Sequence, residues 1–181
     1  MTELGMYPEF SNESIMDKIR MICQKENWSL AQFVTKLNKD EQSIIMDALG
    51  EDKEVLAYDW KFWGRPNQIP PEIDWYIFSM IAGRGAGKTR SGAEWVNEVA
   101  NEKEGRRIAL VSRTAADVRD VMITGDSGIL NVGHPDNRPE YFTSKRLLVW
   151  PNGTQAQAFS SEEPDQLRGP QFRLSVDTPI P

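Results

Sequence analysis

Apolar residues recur at helical spacing along the first fifty positions of this 181-residue chain. Ile15, Ile19 and Ile22 fall on one side of a segment that Ser11 or Asn12 is placed to cap. Leu30, Phe33, Val34 and Leu37 follow at i, i+3, i+4 and i+7 behind a capping Ser29. Ile44, Ile45 and Ala48 make a third stripe, with Asp40 as its start and Gly50 as its stop. The pattern predicts three short helices packed as a small module. Periodicity then stops. Residues 59–75, DWKFWGRPNQIPPEIDW, hold three tryptophans and three prolines. Proline removes the donors that a helix or ladder needs, so an ordered loop anchored by aromatic rings is predicted there.

Downstream the pattern changes from stripes to runs. Tyr76 to Ala82 is apolar except at Ser79 and reads as a buried strand. A glycine-rich stretch follows, then a helix from about Thr89 to Glu102 with Ala93, Val96, Val99 and Ala100 facing inward. Gly105 ends it, and Ile108 to Ser112 form a second apolar strand of the kind buried in parallel sheets. Thr114 is placed to cap a helix over Ala115 to Met122, and residues 124–145 are rich in turn formers. Asn152-Gly153 joins Arg146–Trp150 to Thr154–Phe159 as a hairpin signal. Ser160 to Pro170 reads as loop or short helix, and Phe172 to Val176 alternates as a strand. The prediction is an α/β fold: a parallel sheet flanked by helices, behind a helical N-terminal region over 1–53.

Composition narrows the class. With 39% hydrophobic and 27% charged residues the chain is of globular type. A single cysteine, Cys23, excludes an internal disulfide framework and fits a reducing compartment. No apolar run is long enough for a membrane span, and MTELGMYPEF has no secretory pattern, so an intracellular protein without membrane contact is expected. Residues 1–80 carry 8 Lys/Arg against 14 Asp/Glu, while residues 81–181 carry 13 of each. That is not the basic footprint of an autonomous DNA-binding domain, whose affinity comes largely from neutralising phosphates.

The chemistry concentrates in residues 81–92, IAGRGAGKTRSG. Glycine lets the backbone fold tightly and bring bare amides close to a bound group, and a lysine with a hydroxyl at the exit suits a polyphosphate with Mg²⁺. The strict phosphate-loop pattern wants glycine where Ala82 stands; Gly87, Lys88 and Thr89 fit it. The amides of Gly85, Ala86, Gly87, Lys88 and Thr89 would cradle the β-phosphate. Lys88 would reach the β/γ oxygens, and the Thr89 hydroxyl would ligate Mg²⁺. Arg84 is an extra cation inside the loop, for the γ-phosphate or a partner. A turn that binds nothing is the competing reading, and a strand before the loop with a helix after it decides between them.

Several segments in order, DWKFWGRPNQIPP, DWYIFSMIAGRGAGKTRSGAEWV, ALVSRTAADVRDVMITGDSGIL and SKRLLVWPNGTQAQAFSSEEPDQLRGPQF, resemble the large terminase subunit of tailed bacteriophages. That family is an ATP-driven DNA-packaging motor with an N-terminal ATPase domain and a C-terminal nuclease domain. The resemblance, over roughly residues 54–172, implies a P-loop NTPase fold with ATP and Mg²⁺ as cofactors. It makes Gly83 to Thr89 the nucleotide loop and Gln68 an adenine-reading side chain. It places Ser112-Arg113-Thr114 facing DNA, with Arg146 and Arg168 as charge sensors. The partners it implies are double-stranded viral DNA, a portal protein, a small terminase subunit and further copies in a ring, all in the host cytoplasm.

One departure stands out. After LRGPQF the family reaches an adjacent acidic pair, one carboxylate for Mg²⁺ and one for the attacking water; this chain reads RLSVDTPIP. Asp177, followed by Thr178, is the single candidate for the Mg²⁺ side, and with Lys88 and Arg84 completes the catalytic candidates. Glu162 and Glu163 lie before LRGPQF, on the approach to the last strand, and are not expected to substitute. The expectation is a partial P-loop ATPase domain over 54–181 without the nuclease domain. It would hold ATP, turn it over weakly, and bind duplex DNA weakly or not at all by itself. A non-catalytic nucleotide-binding remnant of a frameshifted gene and a helicase-like P-loop ATPase are the alternatives; the WPNG and LRGPQF segments favour terminase.

The Gln68 expectation has a direct test. Gln68→Ala should weaken ATP binding while leaving inorganic triphosphate nearly unaffected, because only a base contact is lost. Equal weakening of both ligands in calorimetry would reassign Gln68 to loop packing.

Overall fold

Three of the predicted stripes become helices in the computed structural model, which describes residues 12–49, 56–71, 75–168, 172 and 174–177. These are α1 (Asn12–Glu26), α2 (Leu30–Val34) and α3 (Lys39–Leu49). Ser29 starts α2 with a reciprocal cap: its Oγ accepts from Gln32 N at 3.1 Å while Gln32 Oε1 accepts from Ser29 N at 3.0 Å. The start of α3 differs from the expected Asp40. Asn38 Oδ1 accepts from the amides of Asp40 and Glu41, and Glu41 accepts from Asn38 N in return. Asparagine caps as well as aspartate does, and this leaves Asp40 in the first turn, where the helix terminus favours a negative charge. The predicted cap at Ser11 and stop at Gly50 lie outside the described residues. Ile19, Cys23, Phe33, Leu37 and Ile45 form the core of this helical module, and burial pushes the Cys23 thiol up from its ordinary value.

The tryptophan-rich stretch is more regular than predicted. Asp59 caps a short α4 (Trp60–Trp63), its carboxylate accepting from Lys61 N at 2.8 Å. Pro66 then opens a 3-10 turn over Pro66–Gln68. Both elements tolerate this sequence because each is a single turn and Pro66 sits at its first position, where no donor is needed. Leu56 and Phe62 pack with Ala31. The chain divides into two compact units, Met1–Met80 and Ile81–Pro181.

The second unit is an α/β layer built on a five-stranded sheet of order β2-β3-β4-β1-β5. Its strands are β1 (Arg107–Ser112), β2 (Glu140–Phe142), β3 (Leu147–Val149), β4 (Gln155–Ser160) and β5 (Leu174–Asp177). β1 runs parallel to both β4 and β5, pairing Leu110 with Ala158 on one side and with Val176 on the other. β3 is antiparallel to β4, and β2 to β3. The sheet is therefore mixed, not parallel throughout. The reversal has a local cause: Asn152 Oδ1 accepts from Thr154 N at 3.0 Å and Gly153 takes φ +81°, closing the predicted hairpin. β2, absent from the turn-rich reading of 124–145, is a three-residue strand too short to show a period. A 3-10 turn over Thr143–Lys145, with Arg146 at φ 51°, returns it into β3.

The strand predicted over Tyr76 to Ala82 does not form. Residues 76–82 have no regular structure, and Tyr76, Ile77 and Ile81 are exposed. A strand exists through its ladder, and no described strand pairs with this segment. Helix α5 (Lys88–Glu102) forms as expected, with Ala93, Val96, Val99 and Ala100 buried on the sheet. Thr114 caps α6 (Ala115–Asp117) through reciprocal bonds with Asp117. The helix continues as a π-helical turn over Val118–Ile123, closed by Thr124 N donating to Arg119 O at 2.9 Å.

Inside this core sits one polar hub. Asn97 is buried on α5; its Nδ2 donates to the carbonyls of Ile129 and Val132, both at 3.2 Å, and its Oδ1 accepts from Trp150 Nε1 at 3.2 Å. Trp150 is itself 1% exposed. Removing the amide would strand three buried polar groups. Asn97→Leu should therefore lower stability in urea unfolding by about 2–4 kcal/mol; a neutral result would show that the hub is dispensable.

Candidate nucleotide site at the carboxyl edge of the sheet

Because β1, β4 and β5 are parallel, their carboxyl ends share one edge of the sheet. In open α/β sheets that edge is where ligands bind. Helix α5 is oriented toward it. Its last turn is tied to the opposite edge, where Asn152 Nδ2 donates to Ala100 O at 2.7 Å and Thr154 Oγ1 donates to Lys103 O at 3.1 Å, just ahead of β4. Its N-terminal half lies beside β5: a Cβ on Gly92 would meet Val176 Cγ1 at 3.8 Å, one residue before Asp177. The glycine loop and the end of β5 thus share an edge. Asp177 enters here through its backbone position, in register with Val111 on β1.

The loop takes the conformation that its glycines permit. Gly85 has φ +80° and Gly87 φ +87°, a region other residues enter only at a cost, and Gly87 caps α5. Nothing lies within 4 Å of a Cβ built on Gly83 or Gly85, so the space beside the loop's backbone is open there. The first intrahelical bond runs from Ser91 N to Gly87 O at 2.9 Å, so the amides of Lys88, Thr89 and Arg90 precede the helical ladder. Lys88 folds back over the loop, its Nζ donating to Ala82 O at 2.7 Å and to Gly83 O at 3.1 Å. Arg84 is exposed at the loop's turn. These features suit an anion at a helix N-terminus. Of the two contexts the motif requires, the following helix is present and the preceding strand is not.

Two carboxylates enter that the motif does not name. Glu94, one turn into α5, is buried to 5% exposure and takes Arg90 in a two-pronged pair, Nε at 2.7 Å and Nη2 at 2.6 Å. The i, i+4 spacing of an arginine and a glutamate was the available signal for it. Glu162 lies two residues past the end of β4, at the carboxyl edge, where the connection to β5 begins. Its Oε1 accepts from Arg113 Nε at 3.0 Å. A separation of 49 positions leaves no sequence signal for that pair.

Gln68 belongs to the first unit, buried in its 3-10 turn with Oε1 accepting from Arg65 N at 3.0 Å. Arg146 opens β3, its carbonyl accepting from Ala158 N at 2.9 Å. Arg168 is exposed and paired with Asp165 at 3.2 Å. Among the described residues no group of three His, Cys, Asp or Glu side chains could hold a metal ion, and no helix is long and apolar enough to cross a membrane.

Residues 79–175, more than half of the chain, match the family model described as terminase large subunit, T4likevirus-type, N-terminal. The chain belongs to the terminase large-subunit family. The match spans the glycine loop, α5 and the sheet as far as Ser175 in β5, and it gives the chain a role in the DNA-packaging motor. No curated protein and no solved structure matches it. Within this terminase the loop's geometry has a simple test. Gly87→Ala forces a side chain into positive φ and should cost about 1–2 kcal/mol of stability in urea unfolding. An unchanged midpoint would show that the loop does not need this conformation.

Proposed function

We propose that this terminase binds Mg²⁺-ATP at the carboxyl edge through Gly83 to Thr89, in the manner of a P-loop NTPase, to drive movement of double-stranded viral DNA. The observation that carries the reading is Lys88 Nζ held over an open loop by two main-chain carbonyls, at the N-terminus of the 15-residue α5. An ammonium in that place exchanges its carbonyl acceptors for the β/γ oxygens of a nucleotide and gains charge-assisted bonds. The amides of Lys88 and Thr89 precede the helical ladder, and the first turn of α5 carries no acidic residue to oppose the anion. Glu94 neutralises Arg90, which leaves Lys88 and Arg84 to answer the phosphates.

Thr89 and Asp177 would hold Mg²⁺; the ion, when bound, offsets the charge of the phosphate oxygens. Gln68 would read the adenine. In the assembled motor the partners would be duplex DNA, a portal protein, a small terminase subunit and further copies of the large subunit in a ring. The setting would be the host cytoplasm. Calorimetry with Mg²⁺-ATP tests the core of this reading. Lys88→Ala should weaken binding more than tenfold, about 1.4 kcal/mol or more. Equal affinities for the two proteins would remove the phosphate-loop assignment.

A further inference from the structure

Ser112 ends β1 and Ser160 ends β4, and the residues just past them are locked together by more than the sheet. Ser161 N donates to Ser112 O at 2.8 Å, Ser160 Oγ donates to Arg113 O at 2.6 Å, and the same hydroxyl accepts from Glu162 N at 3.2 Å. Ser160 is 5% exposed, so this clamp is part of the folded core. It fixes the main chains of Arg113 and Glu162 side by side while their side chains stay in solvent, 63% and 55% exposed, joined at 3.0 Å. The ion pairs Arg20–Asp17, Arg106–Glu102 and Arg168–Asp165 are, by contrast, between near neighbours in sequence.

A buried scaffold presenting an exposed ion pair is suited to exchange. The pair itself contributes little in water, about 0–1 kcal/mol, whereas a guanidinium gains more from a phosphate, which it can meet with two parallel bonds and a larger charge. We propose that Arg113–Glu162 is a masked phosphate site: Glu162 occupies the Arg113 guanidinium until a phosphate group displaces it. Glu162 thereby raises the threshold for engaging phosphate at the carboxyl edge. The phosphate comes either from a nucleotide in the glycine loop or from the backbone of duplex DNA lying along this edge. The inference goes beyond the nucleotide reading, since its duplex arm is measured with no nucleotide present.

The test is a double-mutant cycle in the full chain, with Mg²⁺-ATP and a short DNA duplex as separate probes at low salt. Glu162→Gln should tighten one probe by about two- to fivefold, the range open to an exposed pair. Arg113→Gln should weaken that same probe, and Glu162→Gln should add nothing in the Arg113→Gln background. A gain confined to ATP identifies the nucleotide as the source, and a gain confined to the duplex identifies DNA. The proposal is overturned by no gain with either probe, or by a gain that persists without Arg113, which would report a general loss of negative charge. Lys88→Ala separates the two readings: if it leaves ATP binding intact, the loop assignment fails while the duplex arm still stands or falls alone.

Discussion

The placement of α5 is the constraint on which the rest of this terminase's site depends, and Asn97 enforces it. A helix lying on a sheet through Ala93, Val96 and Ala100 alone could slide, because apolar contact is non-directional. The Asn97 amide removes that freedom by binding Trp150 on the hairpin side and the carbonyls of Ile129 and Val132 on the other. Asn152 and Thr154 then tie down the helix's last turn. With its end held at the amino edge of β4, the beginning of α5 must emerge at the carboxyl edge, beside β5.

Electrostatics at that edge follow from position. The N-terminus of a 15-residue helix attracts anions, and the segment that feeds it keeps acidic residues out of the first turn. The one carboxylate close behind, Glu94, is buried and committed to Arg90, so it cancels a charge without reaching the loop. Arg113 is held back in the same way by Glu162, but in solvent and across two strands. One arginine is thus locked and the other exchangeable. The difference is burial: Glu94 is buried, so breaking its pair leaves a stranded carboxylate, whereas breaking the exposed Arg113–Glu162 pair returns both groups to water.

Much of the fold was legible because it is local. The helices α1 to α3, the inward face of α5, the Thr114 cap and the Asn152-Gly153 hairpin each rest on residues within four positions of one another, although Ile44, expected on the inward stripe of α3, is 61% exposed. What failed was non-local. Tyr76 to Ala82 has a strand's composition, but composition supplies no partner, and the segment stays outside the sheet. The parallel pairing of β1 with β4 and β5 joins strands forty or more residues apart, whereas the antiparallel turns that make the sheet mixed are local. The site divides the same way. Gly85, Gly87 and Lys88 announce themselves in a motif, while Glu162 becomes visible only once β4 lies beside β1.

On the proposed reading, the loop and the first turn of α5 receive the phosphates of a nucleotide. Amide hydrogen exchange with and without Mg²⁺-ATP tests it most directly, because the proposed contacts are main-chain amides. Slowed exchange at residues 85–90, with α1 to α3 unchanged, is the predicted result. Unaltered exchange across 85–90 under conditions where ATP is bound, or protection confined to other segments, would contradict it.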